Sequence, residues 1–459
     1  MNHAPAPSGK SRITLYIIIC LIAGIALGLL LNRTWLMDSN QKLKQIEVSI
    51  ADAKTKLKQK IDTVSIQQQL VALSNAQKAA MAARDEKVEP FSVLADVFLR
   101  LIKMIVAPLV LTTLIVGVAK LGDIKAVGRI GGKTLLWFIG ASLTSLLLGM
   151  ILVNVFRPGE TMNLPLPDVG ESTGLGGAKL SLKEFLYHVF PASVIEAMAK
   201  NEILQIVVFS LFFGVAAGAM GEQAKPVVNF MEVASHIILK VTGYVMNFAP
   251  IAVFGAMTAI IAKQGPEILL TYSIFIGEFY FSLFMLWMVL IMAGFFVIRK
   301  RIFPLIKALR EPTLLAFSTS SSEAAFPKTM TILSKFGCSE KIVSFVLPLG
   351  YSFNLDGSMM YMTFASLFIA QSYGIDLPIA TQISMLLVLM LTSKGIAGVP
   401  RASLVVIAGT LVSFNIPEAG LALLLGIDPL LDMGRSATNV IGNSVATAVV
   451  SKWEGQLGE

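Results

Sequence analysis

The stretch Ser318-Thr319-Ser320-Ser321-Ser322-Glu323-Ala324-Ala325-Phe326-Pro327 is polar, inside a chain that is otherwise mostly apolar. Its hydroxyls, carboxylate and proline cannot cross hydrocarbon as a lipid-exposed helix, because freed backbone groups would find no hydrogen-bond partner there. The stretch therefore lines a cavity within protein. It is read here as one half of a binding site, with the rest of the chain holding it at membrane depth.

Composition supports that setting. Of 459 residues, 55% are hydrophobic and only 14% charged, with a mean hydropathy of +0.74, against about 25% charge in an average soluble domain. The chain is thus an all-α polytopic membrane protein in the lipid bilayer. Cys20 and Cys338 form no disulfide framework, and His3, His188 and His236 are too scattered to suggest a metal site. The net charge of +8 comes from Lys and Arg at the ends of apolar segments. Topology explains such clusters, so no nucleic-acid partner is expected.

Lys10 and Arg12 precede an apolar run from Ile13 to Leu31, about the 20 residues a spanning helix needs. That run is too long for a signal peptide and lacks its cleavage site. The flanking charges place the N-terminus in the cytoplasm. From Asp38 to about Glu89 the composition turns to Lys, Gln, Ala and Asp, with Leu43, Ile46, Ile50, Ala53 and Leu57 in one apolar stripe. This region reads as a helix or helical hairpin outside the membrane, packed on its own subunit or on a neighbour.

Further apolar segments run over about 92–119, 131–156, 202–219, 226–262 and 268–298. Lys120, Lys125, Arg129 and Lys133 fall after the first, and Arg299, Lys300, Arg301, Lys307 and Arg310 after the last. Counting spans puts both clusters inside, so charge and count agree. The external loop from about Pro158 to Leu182 carries Gly174, Gly176, Gly177 and Lys179 in a spacing unlike a phosphate loop.

After Arg310 the pattern changes. Residues 313–335 are broken by the serine run, about 343–371 carries Asn354, Asp356 and Gly357, about 377–413 is broken at 393–400, and about 418–452 holds Asp432, Arg435, Asn439 and Asn443. Two interrupted segments, each followed by a span with a polar centre, make an internal repeat of the kind found in secondary transporters. Asp432, Arg435, Asn439 and Asn443 share one helical face, and charge at membrane depth requires that face to point into a polar interior. A structural Asp–Arg pair joining helices is the plainer alternative. No histidine lies near the serines in the chain and no lysine dyad is evident, which argues against an intramembrane hydrolase. A passive channel is the better rival, although it needs no Asp and Arg one turn apart.

These residues give the chain a family likeness. The serine tip Thr319–Pro327, Asn354-Leu355-Asp356-Gly357-Ser358, Ala397-Gly398-Val399-Pro400 and Asp432-Met433-Gly434-Arg435 with Asn439 resemble the dicarboxylate/amino acid:cation symporters, which include the glutamate transporters. The likeness covers nearly everything but residues 38–89. It implies eight transmembrane helices plus two re-entrant hairpins (about 305–336 and 377–413) in inverted repeats, an elevator mechanism, a homotrimer, and residence in the bacterial inner membrane with both termini cytoplasmic. The implied division is a first span (1–37), an extracytoplasmic helical insertion (38–91), the remaining N-terminal spans (92–300) and a transport core (301–459).

Carried over residue by residue, the resemblance gives Arg435 the side-chain carboxylate of an acidic amino acid and Asp432 its amino group. Asn439 and the backbone of Ser321 and Ser322 would hold the α-carboxylate, with Ser358, Gly398 and Val399 completing the substrate site. Relatives carrying C4-dicarboxylates look different at Asp432, so glutamate and aspartate are favoured over succinate, fumarate or malate. Ion coupling would involve Asn354, Asp356, Ser142, Asn443, Ser393 and Glu323, with Asn354, Asp356 and Asn439 as ligands of a sodium ion. The sequence departs from the sodium-driven pattern, which has aspartate where Asn443 stands and threonine at the positions of Ala141 and Ile396. Loss of one carboxylate weakens hard-cation sites. Either a proton or sodium is the coupling ion. Glu323, a desolvated acid at the hairpin tip, suits a proton carrier; pairing with Lys394 or contact with water is the alternative.

Overall fold

Apolar segments in this chain are helix formers that must satisfy their backbones internally, and the computed structural model is accordingly helical. It describes residues 12–58, 63–121, 124–161, 187, 189–393, 402–425 and 427–458. The helices are α1 (Arg12–Arg33), α2 (Met37–Lys58), α3 (Thr63–Leu121), α4 (Ile124–Phe156), α5 (Pro158–Thr161), α6 (Val194–Lys200), α7 (Ile203–Met220), α8 (Lys225–Met246), α9 (Ala249–Thr271) and α10 (Ser273–Ile298). They continue with α11 (Ile302–Ala308), α12 (Arg310–Thr319), α13 (Ser322–Phe336), α14 (Glu340–Phe353), α15 (Asp356–Ser372), α16 (Ile379–Thr392), α17 (Ala402–Ser413), α18 (Ala422–Leu425) and α19 (Asp428–Trp453). Five helical stretches among the described residues are long and apolar enough to cross a membrane.

Two compact units are distinguished: residues 1–98 with 247–271, and residues 99–246 with 272–459. In the first, Gly24 and Gly28 lie against the α9 backbone at Phe254 and Thr258, where a Cβ would come within 2.7 and 2.9 Å of a carbonyl oxygen. Small residues four apart let apolar helices approach this closely. The predicted stripe on α2 is turned inward, with Leu43 and Ala53 buried and Ile46 and Ile50 half-buried. Lys87 of α3 donates to the Ser39 hydroxyl at 2.9 Å, which ties the first turn of α2 to α3.

Two sequence boundaries are corrected here. The polar stretch and the apolar segment that follows it share one helix, since α3 runs unbroken for 59 residues through Pro90. A proline's ring crowds the preceding turn without ending a helix that is packed on both sides of it. The single apolar segment read over 226–262 is two helices, α8 and α9, parted at residues 247–248. Of the loop after α4, Pro158–Thr161 is a helical turn, and residues 162–186 and His188 lie outside the described residues.

The second unit is arranged around α19, which is buried along almost its whole length and packs against α10, α12, α13, α14 and α15. Of the predicted repeat, the first half is described, and the second break, at 393–400, lies outside the described residues beyond Ser393. The segment after the serine run is split at Asn354–Leu355 into α14 and α15, whereas α19 is continuous.

The end of α19 is clamped. Glu454 accepts from Arg129 Nε and Nη2 at 3.1 and 2.8 Å and from Lys133 Nζ at 2.7 Å, and Trp453 meets Trp137 edge-on at 5.7 Å. Beyond it, Gly458 N donates to Gly337 O at 2.8 Å and Ser339 N to Gln456 O at 3.2 Å, around the Cys338–Leu457 bridge. The hydrogen bond from Arg129, followed by Lys133, holds the Glu454 carboxyl below its ordinary range. A carboxyl lowered by folding stabilises the fold above its unfolded pKa, and that contribution fades as pH falls through the folded value. Glu454→Gln is expected to cost on the order of 1 kcal/mol at neutral pH, a fall in Tm of about 2 °C. Thermal unfolding in detergent over a pH series should show the gap to wild type closing in acid.

Candidate functional site

The polar face of α19 supplies the first cluster. Arg435 is 4% exposed and donates through Nε to Asp432 Oδ1 at 2.6 Å. Its Nη1 lies 3.6 Å from Asp428 Oδ1, and its guanidinium stands 4.6 Å from the Tyr361 ring centroid. Tyr361 donates to Asp428 Oδ1 at 2.9 Å, and Ser436 to Asp432 Oδ1 at 3.2 Å. Helical geometry explains the gathering, since residues 428, 432 and 435 fall on one face. Nη1 of Arg435 is buried without a hydrogen-bond partner among the described residues. A guanidinium with one unmet donor edge can donate hydrogen bonds to an anionic group.

A second cluster lies where α14 gives way to α15. Asn354 Nδ2 donates to Asp356 Oδ2 at 2.9 Å and to Asn443 Oδ1 at 3.3 Å, and Ser145 donates to Asp356 Oδ1 at 3.2 Å. Asn354 and Asp356 are fully buried. Asn354 Oδ1 and Asn443 Nδ2 make no hydrogen bond among the described residues. A buried carboxylate beside an unmet carbonyl oxygen is the donor chemistry a hard monovalent cation or a proton requires. The carboxylate has room because residue 442 is glycine: a Cβ there would run into Asp356 Oδ2.

Asn439 joins the two clusters. Its Oδ1 accepts from Gly357 N at 2.9 Å and Ser358 N at 3.4 Å, and its Nδ2 donates to Ser358 Oγ at 3.3 Å. Asn439 thereby satisfies orphan donors at the start of α15. Beside it, Trp287 Nε1 donates to Thr438 Oγ1 at 2.8 Å.

The serine run forms the turn between α12 and α13. Ser320 takes the left-handed conformation (φ 51°, ψ 33°), and Ser321 caps α13 by accepting from Ala324 N at 3.2 Å. Ser322 opens α13, and the half-buried Glu323 follows. Among the described residues the cation whose charge bears on Glu323 is Lys103, and Lys394, proposed for that part, lies outside them. Ser142 is fully buried on α4, one turn from Ser145. Ser393 closes α16 by donating to Met390 O at 3.0 Å and takes no part in either hydrogen-bonded cluster as described. Gly398 and Val399 lie outside the described residues. Sequence reasoning missed Asp428, Tyr361 and Ser145. Asp428 stands four residues before Asp432 and Ser145 three after Ser142, so the same-face spacing was available for both, whereas nothing in the sequence pairs Tyr361 with them.

An all-helical chain with several membrane-length apolar helices around buried charges and split helices is of the polytopic membrane transporter class. The model of the sodium:dicarboxylate symporter family matches residues 13–453, and the chain belongs to that family. Similar proteins include a proton/sodium-glutamate symport protein of Geobacillus stearothermophilus, 43% identical across 80% of this chain and 88% of its own length. A C4-dicarboxylate transport protein of Bacillus subtilis (strain 168) is 40% identical over 80% and 88%, and one of Agrobacterium fabrum 41% over 82% and 84%.

Gly442→Ala tests the packing of the second cluster. Crowding Asp356 is expected to destabilise by about 1–3 kcal/mol, read as a lowered Tm in detergent; a wild-type Tm would mean that Asp356 is seated elsewhere.

Proposed function

We propose that this symporter takes up an acidic amino acid, glutamate or aspartate, together with protons, sodium or both. The carrying observation is Arg435, buried with an unmet donor edge and bonded to a half-buried Asp432. Arg435 binds the side-chain carboxylate. Both bonds that Asp432 accepts fall on Oδ1, and Oδ2 receives the amino group. The turn at Ser321 and Ser322, with Asn439 and Ser358, takes the α-carboxylate, and Gly398 and Val399 close the site from the other hairpin.

Charge supports cation coupling. Asp428 and Asp432 share one guanidinium, so an anionic substrate adds negative charge to a cluster where two carboxylates already face a single cation. Asn354, Asp356, Ser142, Asn443 and Asn439 accommodate one cation, with Ser393 and Glu323 in the coupling set. Asparagine at 443 leaves that cluster a single carboxylate, which suits a proton or one sodium ion better than several. The protein works as a transporter and not as an enzyme. In this reading it is an inner-membrane homotrimer with cytoplasmic termini and eight spans. Helices α12–α13 and α16–α17 are its re-entrant hairpins, and residues 301–459 are the core of an elevator that moves against the earlier spans; residues 38–91 form the external insertion.

A C4-dicarboxylate is the second reading, favoured by relatives named for that transport. Ligand-induced thermal shifts with glutamate, aspartate, succinate and fumarate, with and without sodium, separate the two. Arg435→Ala is expected to weaken every acidic ligand by more than about a hundredfold, as for loss of a buried charge partner. Asp432→Asn should weaken aspartate about tenfold or more and spare succinate. Wild-type protein that responds to succinate and not to aspartate would replace the first reading with the second.

A further inference from the structure

Several buried or half-buried acids of the second unit stand beside a cation. Glu311 pairs with Lys328 at 2.8 Å, Lys103 acts on Glu323, and Asp428 and Asp432 share Arg435. Glu278 is different. It is the sole charged residue of α10, whose sequence from Ser273 to Ile298 is otherwise apolar or neutral. Its Oε2 is buried and has no hydrogen-bond partner among the described residues. The elements packed against α10 are α4, α5, α11, α15 and α19, with the turn at 299–301. The charged groups on them are Glu160, Asp356, Asp428, Asp432, Arg435 and Lys452, with the basic residues of α4, the turn and α11, and Glu278 forms no ion pair among the described residues. Tyr280, two residues on, is engaged with Leu430 O at 2.6 Å.

An acid in an apolar helix without a cation is much cheaper to hold neutral than ionised. Such a group changes its charge only when its surroundings change, as they do in a transport cycle. Glu278 is also linked to the substrate cluster. Phe279 meets the Tyr361 ring edge-on at 5.8 Å, and that ring carries the Arg435 guanidinium. The Glu278 carbonyl is fixed by Ser282 Oγ at 2.7 Å, and its side chain sits at the margin of the packed face, between buried Phe275 and Phe279 and exposed Ile274 and Phe281. A group at such a margin changes its surroundings on a small displacement.

We propose that Glu278 is a proton-binding site of the transport cycle, the carboxyl that carries the co-transported proton. The inference rests on the proton-coupled reading of the preceding section. Loading forms an O–H bond on Oε2 with a proton from water on one side; release returns that proton to water on the other, and no electrons move.

The test uses full-length protein in liposomes, with an internal pH dye and labelled aspartate, comparing wild type with Glu278→Gln. Glutamine keeps the shape and cannot titrate. Wild type should acidify the lumen as aspartate enters, while the variant should retain aspartate–aspartate exchange and lose proton movement by an order of magnitude, with exchange no longer dependent on pH. Unaltered proton movement in the variant overturns the assignment of Glu278 alone. Absence of proton movement in wild type overturns the proton-coupled reading and this inference with it. Should the glutamine variant not fold, Glu278→Asp is to be compared: a displaced pH profile supports the assignment, and one superimposed on wild type overturns it.

Discussion

Arg435 imposes the constraint on which the second unit depends. A permanent cation that is 4% exposed would cost several kcal/mol if left without partners, so everything around it is arranged to supply them. Asp432 does so from one turn away and Asp428 from two. Tyr361 adds its ring face and, through its hydroxyl, fixes Asp428. Arg435, Asp428 and Tyr361 are buried away from water, and so α10, α12–α15 and α19 must close round one another. The polar face of α19 is in this sense the core of an apolar protein.

The arrangement is deliberately incomplete. A core optimised only for stability would leave no buried donor or acceptor unmet, yet Arg435 Nη1, Asn354 Oδ1 and Asn443 Nδ2 have no hydrogen-bond partner among the described residues. All three lie in the two clusters to which the proposed function assigns substrate and cation. Split helices serve the same end. The breaks at Ser320–Ser321 and Asn354–Leu355 put backbone groups at the level of the side chains, and a continuous helix would have spent those groups on itself.

Much of this was legible in the sequence where one helix carries the pattern. Asp432, Arg435, Asn439 and Asn443 are bound together by i, i+3 and i, i+4 spacing, and the serine run announces a break because polar backbone has no other place at that depth. What spacing could not supply were partners from other helices. Tyr361 meets Asp428 across 67 residues and Ser145 meets Asp356 across 211, and both depend on packing that no local period encodes. Boundaries failed for a related reason. The change from polar to apolar composition near Glu89 suggested a division between two segments, but α3 runs straight through it. Conversely, the unbroken hydropathy of 226–262 concealed the turn between α8 and α9.

The indole of Trp287, bonded to Thr438, has a use beyond packing. Thr438 stands next to Asn439 and three residues after Arg435 on α19, and the chain has only four tryptophans, of which Trp137 and Trp453 stack together at the clamped end of α19. A ligand that reorganises the Arg435 cluster must alter the polarity felt by a fluorophore already anchored there. The protein therefore carries its own optical reporter of occupancy, with Trp35, Trp137 and Trp453 as a background that substitution can remove without touching the site.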